Sequence, residues 1–204
     1  MQIIDLKKDK LHLTRLSLDN GSEALIDNDV FSDRCLKVGT DLTESGLKEL
    51  LEESDYIRAK SRAVWYLDRA DHTEKGLYDK LLRGGFKKEA AAKVIARFIE
   101  VGLLDDRRFA KNYAERLESG NYSKREILQK LTLKGVPYAL AKEILEYTDS
   151  DEQQKIKILL EKKYQTKLQK EGGAQKVFAA LVRKGFSYAE VREALKSYIE
   201  EFEE

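Results

Sequence analysis

Alternating apolar and polar residues open the chain and predict a small β structure. The apolar positions on either side of a polar stretch are Ile3, Ile4, Leu6, Leu11, Leu13, Leu16 and Leu18. Asp19-Asn20-Gly21 then gives a strong signal for a tight turn, and Leu25 and Ile26 continue beyond it. We therefore expect an antiparallel hairpin or sheet over residues 2–27, followed by short helices around 28–35 and 43–53.

From about residue 56 onward the apolar residues have helical spacing, and the pattern repeats after 50 residues. Three stretches come into register, residues 77–95, 127–145 and 177–195. The positions that they share include Leu81, Leu131 and Leu181, and Gly85, Gly135 and Gly185. Matching apolar spacing with a shared glycine indicates an internal repeat. Each glycine is predicted to end a helix in the left-handed conformation, which glycine adopts at little cost.

Each repeat needs one further helix before this pair to close its core. The apolar residues expected on that first helix are Ala63, Val64 and Leu67, then Phe109, Tyr113 and Leu117, then Ile156, Leu159, Leu160 and Tyr164. Ser123 to Glu126 and Ser187 to Glu190 have the S-x-x-E form that opens helices. The predicted fold is mainly α, with three tandem three-helix modules in an elongated array behind a small N-terminal β-hairpin and short helices. The predicted domains are residues 1–54, 55–104, 105–149 and 150–204.

Composition supports a soluble, helical protein. The single proline suits a chain of helices, because proline breaks helix interiors. Residues 1–57 carry seven basic and thirteen acidic side chains, whereas residues 58–204 carry thirty-one basic and twenty-four acidic ones, which indicates a boundary near residue 57. No apolar run reaches the ~18 residues of a membrane span, and no signal-peptide core is visible. The lone Cys35 fits a reducing compartment, so we expect a cytoplasmic protein. We also expect a monomer.

Residues that could carry catalysis are few, and we expect no enzyme, no cofactor and no metal. His12 falls in a predicted strand and His72 in a predicted turn, so neither has partners for a metal site. The sequence has neither a P-loop nor a G-x-G-x-x-G turn. Asp105 is expected to cap a helix rather than to pair with Asp106 around a metal. Trp65 and Tyr66 could stack on nucleic-acid bases, although a place in the core is the favoured interpretation.

Basic residues of the second module are the better candidates for a binding surface. Three-helix modules resemble helix-turn-helix units, which makes contact with DNA a reasonable hypothesis. The candidate residues are Arg107, Arg108, Lys111, Arg116, Lys124, Arg125, Lys130 and Lys134. On the second helix, Ile127, Leu128 and Leu131 define the buried side, so Lys130 and Lys134 are expected on one outward flank and Arg125 on the other. Arg116 and Lys124 are also expected to point outward. Acidic residues are interspersed, and a charged helix face is most often simply solvated.

The stretch from Gly102 to Ala110, GLLDDRRFA, resembles the G-hydrophobic-hydrophobic-D-D/E-x-x-F/Y-A signature of RecX proteins. Further similarity follows at the family's spacing in Tyr113, Arg116, Gly120, Ser123 to Ile127 and Leu131 to Val136. Upstream, residues 65–67 and 80–82 resemble the family's first repeat, and the segment before residue 55 is similar to the N-terminal extension of longer members. One departure is Tyr122, where a second glycine often stands.

The resemblance implies a regulator of the RecA recombinase. Such a protein would bind RecA and its filament on single-stranded DNA, and would most often inhibit recombinase, ATPase and co-protease activity. An array of repeats commonly offers an extended binding surface. Two alternatives stay open: a sequence-independent DNA-binding protein, whose affinity should fall steeply with salt, and a helical scaffold for an unrelated protein. A weak direct contact with DNA is also compatible with a regulator of RecA.

Overall fold

A computed structural model describes residues 1–10, 12–148 and 150–203, so the apolar position Leu11 lies outside the described residues. The N-terminal β structure is confirmed. Strands β1 (Ile3–Asp9), β2 (Leu13–Leu18) and β3 (Glu23–Asp27) form an antiparallel sheet in the order β1-β2-β3. The Asn20 side chain accepts a hydrogen bond from the Ser22 amide at 3.0 Å, and Gly21 has φ +80°, so the predicted turn connects β2 to β3.

The structure corrects the predicted position of His12 in a strand. It lies in the turn between β1 and β2 rather than in a strand, with φ +62°. Alternating apolar residues continue across this turn, and for that reason the sequence pattern does not mark it.

The helix expected at residues 43–53 does not end there. After α1 (Asn28–Asp33), α2 runs without a break over Glu44–Leu67, across the boundary predicted at 54. Leu50, in its first half, packs in the core beneath the sheet, while Ala59 and Ala63, in its second half, belong to the next core. The charge shift near residue 57 therefore changes the surface of one helix and does not interrupt its hydrogen bonds.

The first module consists of the second half of α2 with α3 (Glu74–Arg83) and α4 (Lys88–Glu100). Its core contains Ala63, Leu81 and Phe98. Two predictions for α2 are wrong: Val64 is 41% exposed and Trp65 is 43% exposed, whereas Tyr66 packs partly buried against the core. The guanidinium of Arg69 lies 3.5 Å from the centre of the Trp65 ring. Small alanines face α3 and α4, and so the bulky residues beside them turn outward.

The second module is formed by α5 (Asp106–Ser119), α6 (Lys124–Leu133) and α7 (Tyr138–Glu146). In the third module α8 (Glu152–Leu159) passes into a π-helical turn (Leu160–Tyr164) and α9 (Gln165–Leu168), followed by α10 (Gly173–Arg183) and α11 (Tyr188–Glu203). Each module has its own apolar core. The chain forms two compact units, Met1–Leu104 and Asp105–Glu204; the finer four-domain division stays a prediction.

The repeat glycines behave as predicted. Gly85, Gly135 and Gly185 follow helix ends with φ of +86°, +98° and +95°. In each repeat the amide two residues after the helix C-cap returns to the carbonyl of the shared leucine, for example Val136 N to Leu131 O at 3.1 Å. Leu81, Leu131 and Leu181 are fully buried. This Schellman arrangement satisfies carbonyls that a helix end would otherwise leave open.

Helix starts also follow the sequence. Asp105 caps α5 by accepting from the Arg108 amide at 2.9 Å, as predicted. Ser187 and Glu190 form a reciprocal capping box at the start of α11, with contacts of 2.9 and 3.2 Å. Ser123 caps α6 through the Glu126 amide at 3.1 Å, but the Glu126 carboxylate turns away toward two lysines instead of returning to Ser123.

Candidate interaction surface

The predicted basic residues of the second module lie on α5, on α6 and at its end, and helix phase decides which side each faces. Ile127 and Leu131 are fully buried, so α6 turns its opposite side outward. Arg116, Arg125 and Lys134 are exposed, as are Arg107, Arg108 and Lys111. Lys124 and Lys130 are only half-buried, which corrects the expectation that both point outward.

Tyr122, in the loop before α6, explains the position of Lys130. The Lys130 ammonium lies 5.0 Å from the centre of the Tyr122 ring, and Lys184 of the third module lies 5.5 Å from the same ring. Glu126 stands between them, 3.7 Å from Lys130 and 3.9 Å from Lys184. A cation over an aromatic face is held by the ring quadrupole. Modules two and three therefore each place one lysine at the same tyrosine.

A second tyrosine repeats this arrangement on α5. Arg116 lies 4.9 Å and Lys134 5.9 Å from the centre of the Tyr113 ring, and Phe109 stacks on that ring at 5.6 Å. The two tyrosines and their cations form what we call the cation–tyrosine face: Tyr113, Arg116, Tyr122, Lys130, Lys134 and Lys184. Each of its four cations lies within 6 Å of the centre of one of the two rings.

Arg107 forms an exposed ion pair within the second module. Its guanidinium donates two hydrogen bonds to Glu143 on α7, at 2.8 and 2.9 Å. This pair lowers the pKa of Glu143 through the hydrogen bonds first and the charge of Arg107 second, and it raises the pKa of Arg107. The charge of Arg107 is thus compensated within the second module.

Arg125 and Lys124 lie at the contact between the second and third modules. The Lys124 amide faces the Glu152 carboxylate at 3.3 and 3.4 Å, and Ser123 donates its hydroxyl hydrogen to the Lys184 carbonyl at 2.6 Å. A side chain at Gly185 would approach the Arg125 Cβ to 3.1 Å. The N-terminal end of α6 therefore packs against the turn at Gly185, with Arg125 at its edge.

A buried lysine, which the sequence analysis missed, joins the same two modules. Lys155 on α8 is only 6% exposed and donates to the Tyr122 carbonyl at 2.8 Å and to Ser150 Oγ at 2.7 Å. It also pairs with Glu152 at 2.9 Å and with Glu118 of α5. We call these five residues the module junction. The helical phase gave a signal, because Lys155 is adjacent to the buried Ile156 and one turn from Leu159.

Other groups with possible chemistry have partners within the chain. His12 Nε2 lies 3.1 Å from Asp29, and with Asp27 these side chains place potential metal ligands within 4.8 Å of one another. Asp27 caps α1 through the Asp29 amide at 2.9 Å, and exposed acidic groups of this kind are common without a metal. His72 contacts the Lys80 ammonium at 3.1 Å. Within the described residues, no helix combines the length and the apolarity that crossing a membrane requires.

Comparison with known proteins gives one consistent result. The profile of the first three-helix domain of RecX matches residues 59–98, which contain α3, most of α4 and the end of α2. The regulatory protein RecX of Clostridium tetani is 30% identical over 172 residues, which cover 80% of this chain and 78% of the relative. The chain belongs to the RecX family. RecX of Streptococcus gordonii is 29% identical over 190 residues, covering 92% of this chain and 73% of the relative.

Solved structures agree with the fold. A crystal structure of regulatory protein RecX covers 96% of this chain and 98% of its own, with a TM-score of 0.67 at 24% identity. The RecX structure from Lactobacillus salivarius covers 70% of this chain and 96% of its own, with a TM-score of 0.61 at 24% identity. The helical fold with its N-terminal sheet is thus a RecX fold.

Proposed function

We propose that this protein binds RecA and the RecA filament on single-stranded DNA, and that it inhibits strand exchange, ATP hydrolysis and co-protease activity. Membership of a family of regulatory proteins named RecX supports this role. The protein acts as a non-catalytic cytoplasmic regulator, and its effect comes from occupying a surface of the filament.

The cation–tyrosine face is the surface that we assign to this contact, and one observation carries the assignment. The second and third modules place Lys130 and Lys184 on the same ring, at 5.0 and 5.5 Å, so two modules present one ordered group of cations. Ordered cations lose less conformational freedom on binding than freely rotating ones do. A positively charged surface also attracts an anionic partner and speeds its association. Arg125, at the edge of the same contact, extends the face.

A triple neutral variant tests the proposal. Arg116→Gln, Arg125→Gln and Lys134→Gln remove three exposed charges and retain Lys130, whose pairing with Glu126 supports α6. Inhibition of RecA strand exchange should weaken at least tenfold, which corresponds to about 1.4 kcal/mol of binding free energy. The matched control replaces Lys7, Lys8 and Lys10, three exposed lysines of the N-terminal sheet region, with glutamine.

Wild type, triple variant and control are titrated into RecA strand-exchange and ATPase assays on single-stranded DNA. Equal midpoints for wild type and triple variant would show that the contact lies elsewhere. Binding to bare DNA with a steep salt dependence and no effect on RecA would favour a DNA-binding protein. If the protein neither affected RecA nor bound DNA, a scaffold for another partner would be favoured.

A further inference from the structure

A lysine-rich groove in the third module lies apart from the cation–tyrosine face. It has a volume of about 360 Å³ and is lined in part by Lys163, Lys167, Lys170 and Lys176. Glu171 is the one carboxylate among the residues that line it, so the lining carries a formal charge of +3. Grooves of this size fall at the lower end of the ~300–1,000 Å³ found for small-ligand sites.

Three of these lysines form a stripe that runs from the π-helical turn through α9 to the residues just after it. Lys163 lies in the π-helical turn, Lys167 follows four residues later in α9, and Lys170 lies two residues beyond the end of that helix. The stripe begins in the π-helical turn Leu160–Tyr164, which buries Leu160 and Tyr164 and leaves Lys163 exposed. π-Helical turns are rare and often mark functional sites.

A close backbone contact brings the fourth lysine to this stripe. A Cβ at Gly173, the first residue of α10, would lie 2.0 Å from the Lys167 carbonyl oxygen, so only glycine permits this approach. Lys176 follows one turn later on α10. The matching positions of the other repeats hold Gly76 and Glu126, so a lysine here is not required by the repeated fold.

Within the described part of the chain, no salt bridge compensates these four ammonium groups. Some exposed lysines elsewhere on helices do pair with a glutamate four residues later, as in Lys48–Glu52, Lys142–Glu146 and Lys196–Glu200. Like charges at such spacings destabilise a helix. The groove also faces the start of α10, which has no side-chain cap and carries the positive end of the helix dipole. A bound anion would relieve both effects.

We propose that this groove binds a run of adjacent phosphate groups, supplied either by the backbone of single-stranded nucleic acid or by a free triphosphate. Lysine ammonium groups bind phosphate as point charges, and a helix N-terminus favours the same ligand. A charge of +3 matches about three phosphodiester groups, each of which carries one negative charge. No aromatic ring is among the residues that line the groove, so it offers bases no stacking surface and reads phosphate rather than sequence.

The test uses the full chain without RecA, so that its result does not depend on the proposed regulatory function. Inorganic triphosphate is titrated by calorimetry, and fluorescein-labelled oligo(dT) is titrated by anisotropy. Lys167→Gln, Lys170→Gln and Lys176→Gln together should weaken the binding of whichever probe binds by at least tenfold. The Lys7, Lys8 and Lys10 glutamine variant, which loses the same charge, should stay within twofold of wild type.

Salt dependence and competition identify the source of the phosphate. For oligo(dT), the slope of log affinity against log salt should fall in magnitude by about two, since each phosphate contact on a single strand contributes about 0.7. Competition by triphosphate supports a site for phosphate from either source, and oligo(dT) binding without such competition supports the nucleic-acid backbone. The proposal would be overturned if the variant with Lys167, Lys170 and Lys176 replaced by glutamine bound both probes as tightly as wild type. It would also be overturned if wild type bound neither probe. Equal competition by poly-glutamate would also overturn it, because the groove would then select charge alone.

Discussion

Replacement of Lys155 by methionine tests how strongly the module junction holds the second and third modules together. Methionine keeps most of the length of the side chain and removes its charge and donors. The Tyr122 carbonyl and Ser150 hydroxyl each lose a hydrogen-bond donor, and Glu118 and Glu152 lose the ammonium between them.

The expected cost follows from burial. The side chains of Glu118 and Glu152 are each 15% exposed, and Glu118 Oε1 is buried without a hydrogen-bond partner. Breaking a buried ion pair from one side leaves an uncompensated charge and costs about 3–5 kcal/mol. Lys155→Met should therefore reduce the stability of the unit Asp105–Glu204 by about that amount. Lys142→Met is the control, because Lys142 pairs with Glu146 in solvent and such pairs contribute at most ~0.5 kcal/mol.

A second substitution separates charge from packing. Adding Glu118→Gln to Lys155→Met removes one uncompensated charge. Glu152 still accepts a hydrogen bond from the Ser150 hydroxyl at 3.0 Å. The double variant should recover more than half of the lost stability. A packing defect would instead persist, since Gln and Glu have nearly the same shape.

Urea unfolding followed by circular dichroism gives the free energies, and amide hydrogen exchange assigns them to α5 and α8. The exchange data are needed because two compact units need not unfold in one transition. A loss below about 1 kcal/mol in Lys155→Met, or no recovery in the double variant, would refute the electrostatic account of the junction, because the buried charge would then not carry its expected cost.

Two further predictions concern single contacts. Gly185→Ala should destabilise its unit more than Gly85→Ala destabilises its own, although both substitutions strain a left-handed backbone by about 1–2 kcal/mol. Only at residue 185 would the new Cβ lie 2.7 Å from Ser123 Oγ, where it disturbs the cap of α6. Equal losses of unfolding free energy in urea would contradict this prediction. Arg107→Gln should raise the pKa of Glu143 toward its ordinary value in a carboxylate NMR titration, and an unchanged midpoint would show that the pair does not form. Because the folded pKa of Glu143 is lowered, the stability that it contributes is present above the unfolded pKa and is lost as pH falls through the folded pKa.

Local rules explain why much of the fold could be predicted from sequence. The left-handed glycine and the buried leucine of each repeat depend on contacts within a few residues, and so Gly135 and Leu131 were placed correctly by spacing alone. The length of α2 depends instead on two successive cores that share one helix. A change of charge near residue 57 has no effect on that continuity, and so α2 runs past residue 57 without interruption.

The candidate surface was harder to predict because its geometry arises between modules. Helix phase placed Lys130 outward, yet Tyr122 and Glu126 draw it partly inward beside Lys184, a residue fifty-four positions later. Pairing of Arg107 with Glu143 likewise depends on the packing of α5 against α7. Periodicity within one helix carries no information about such partners.

A comparison of matching positions in the three modules distinguishes the residues that maintain the fold from the residues that differ between modules. Lys80 and Lys130 occupy matching positions, and each lies over a tyrosine, at 4.8 Å from Tyr66 and 5.0 Å from Tyr122. The third module has Ala180 at this position, and four of its other lysines line the groove at α9. Because leucine and glycine already fix each module, the outward positions are free to differ in charge. Binding specificity in this protein should therefore be sought in the residues that differ between modules, whereas substitutions at the shared positions should act on stability.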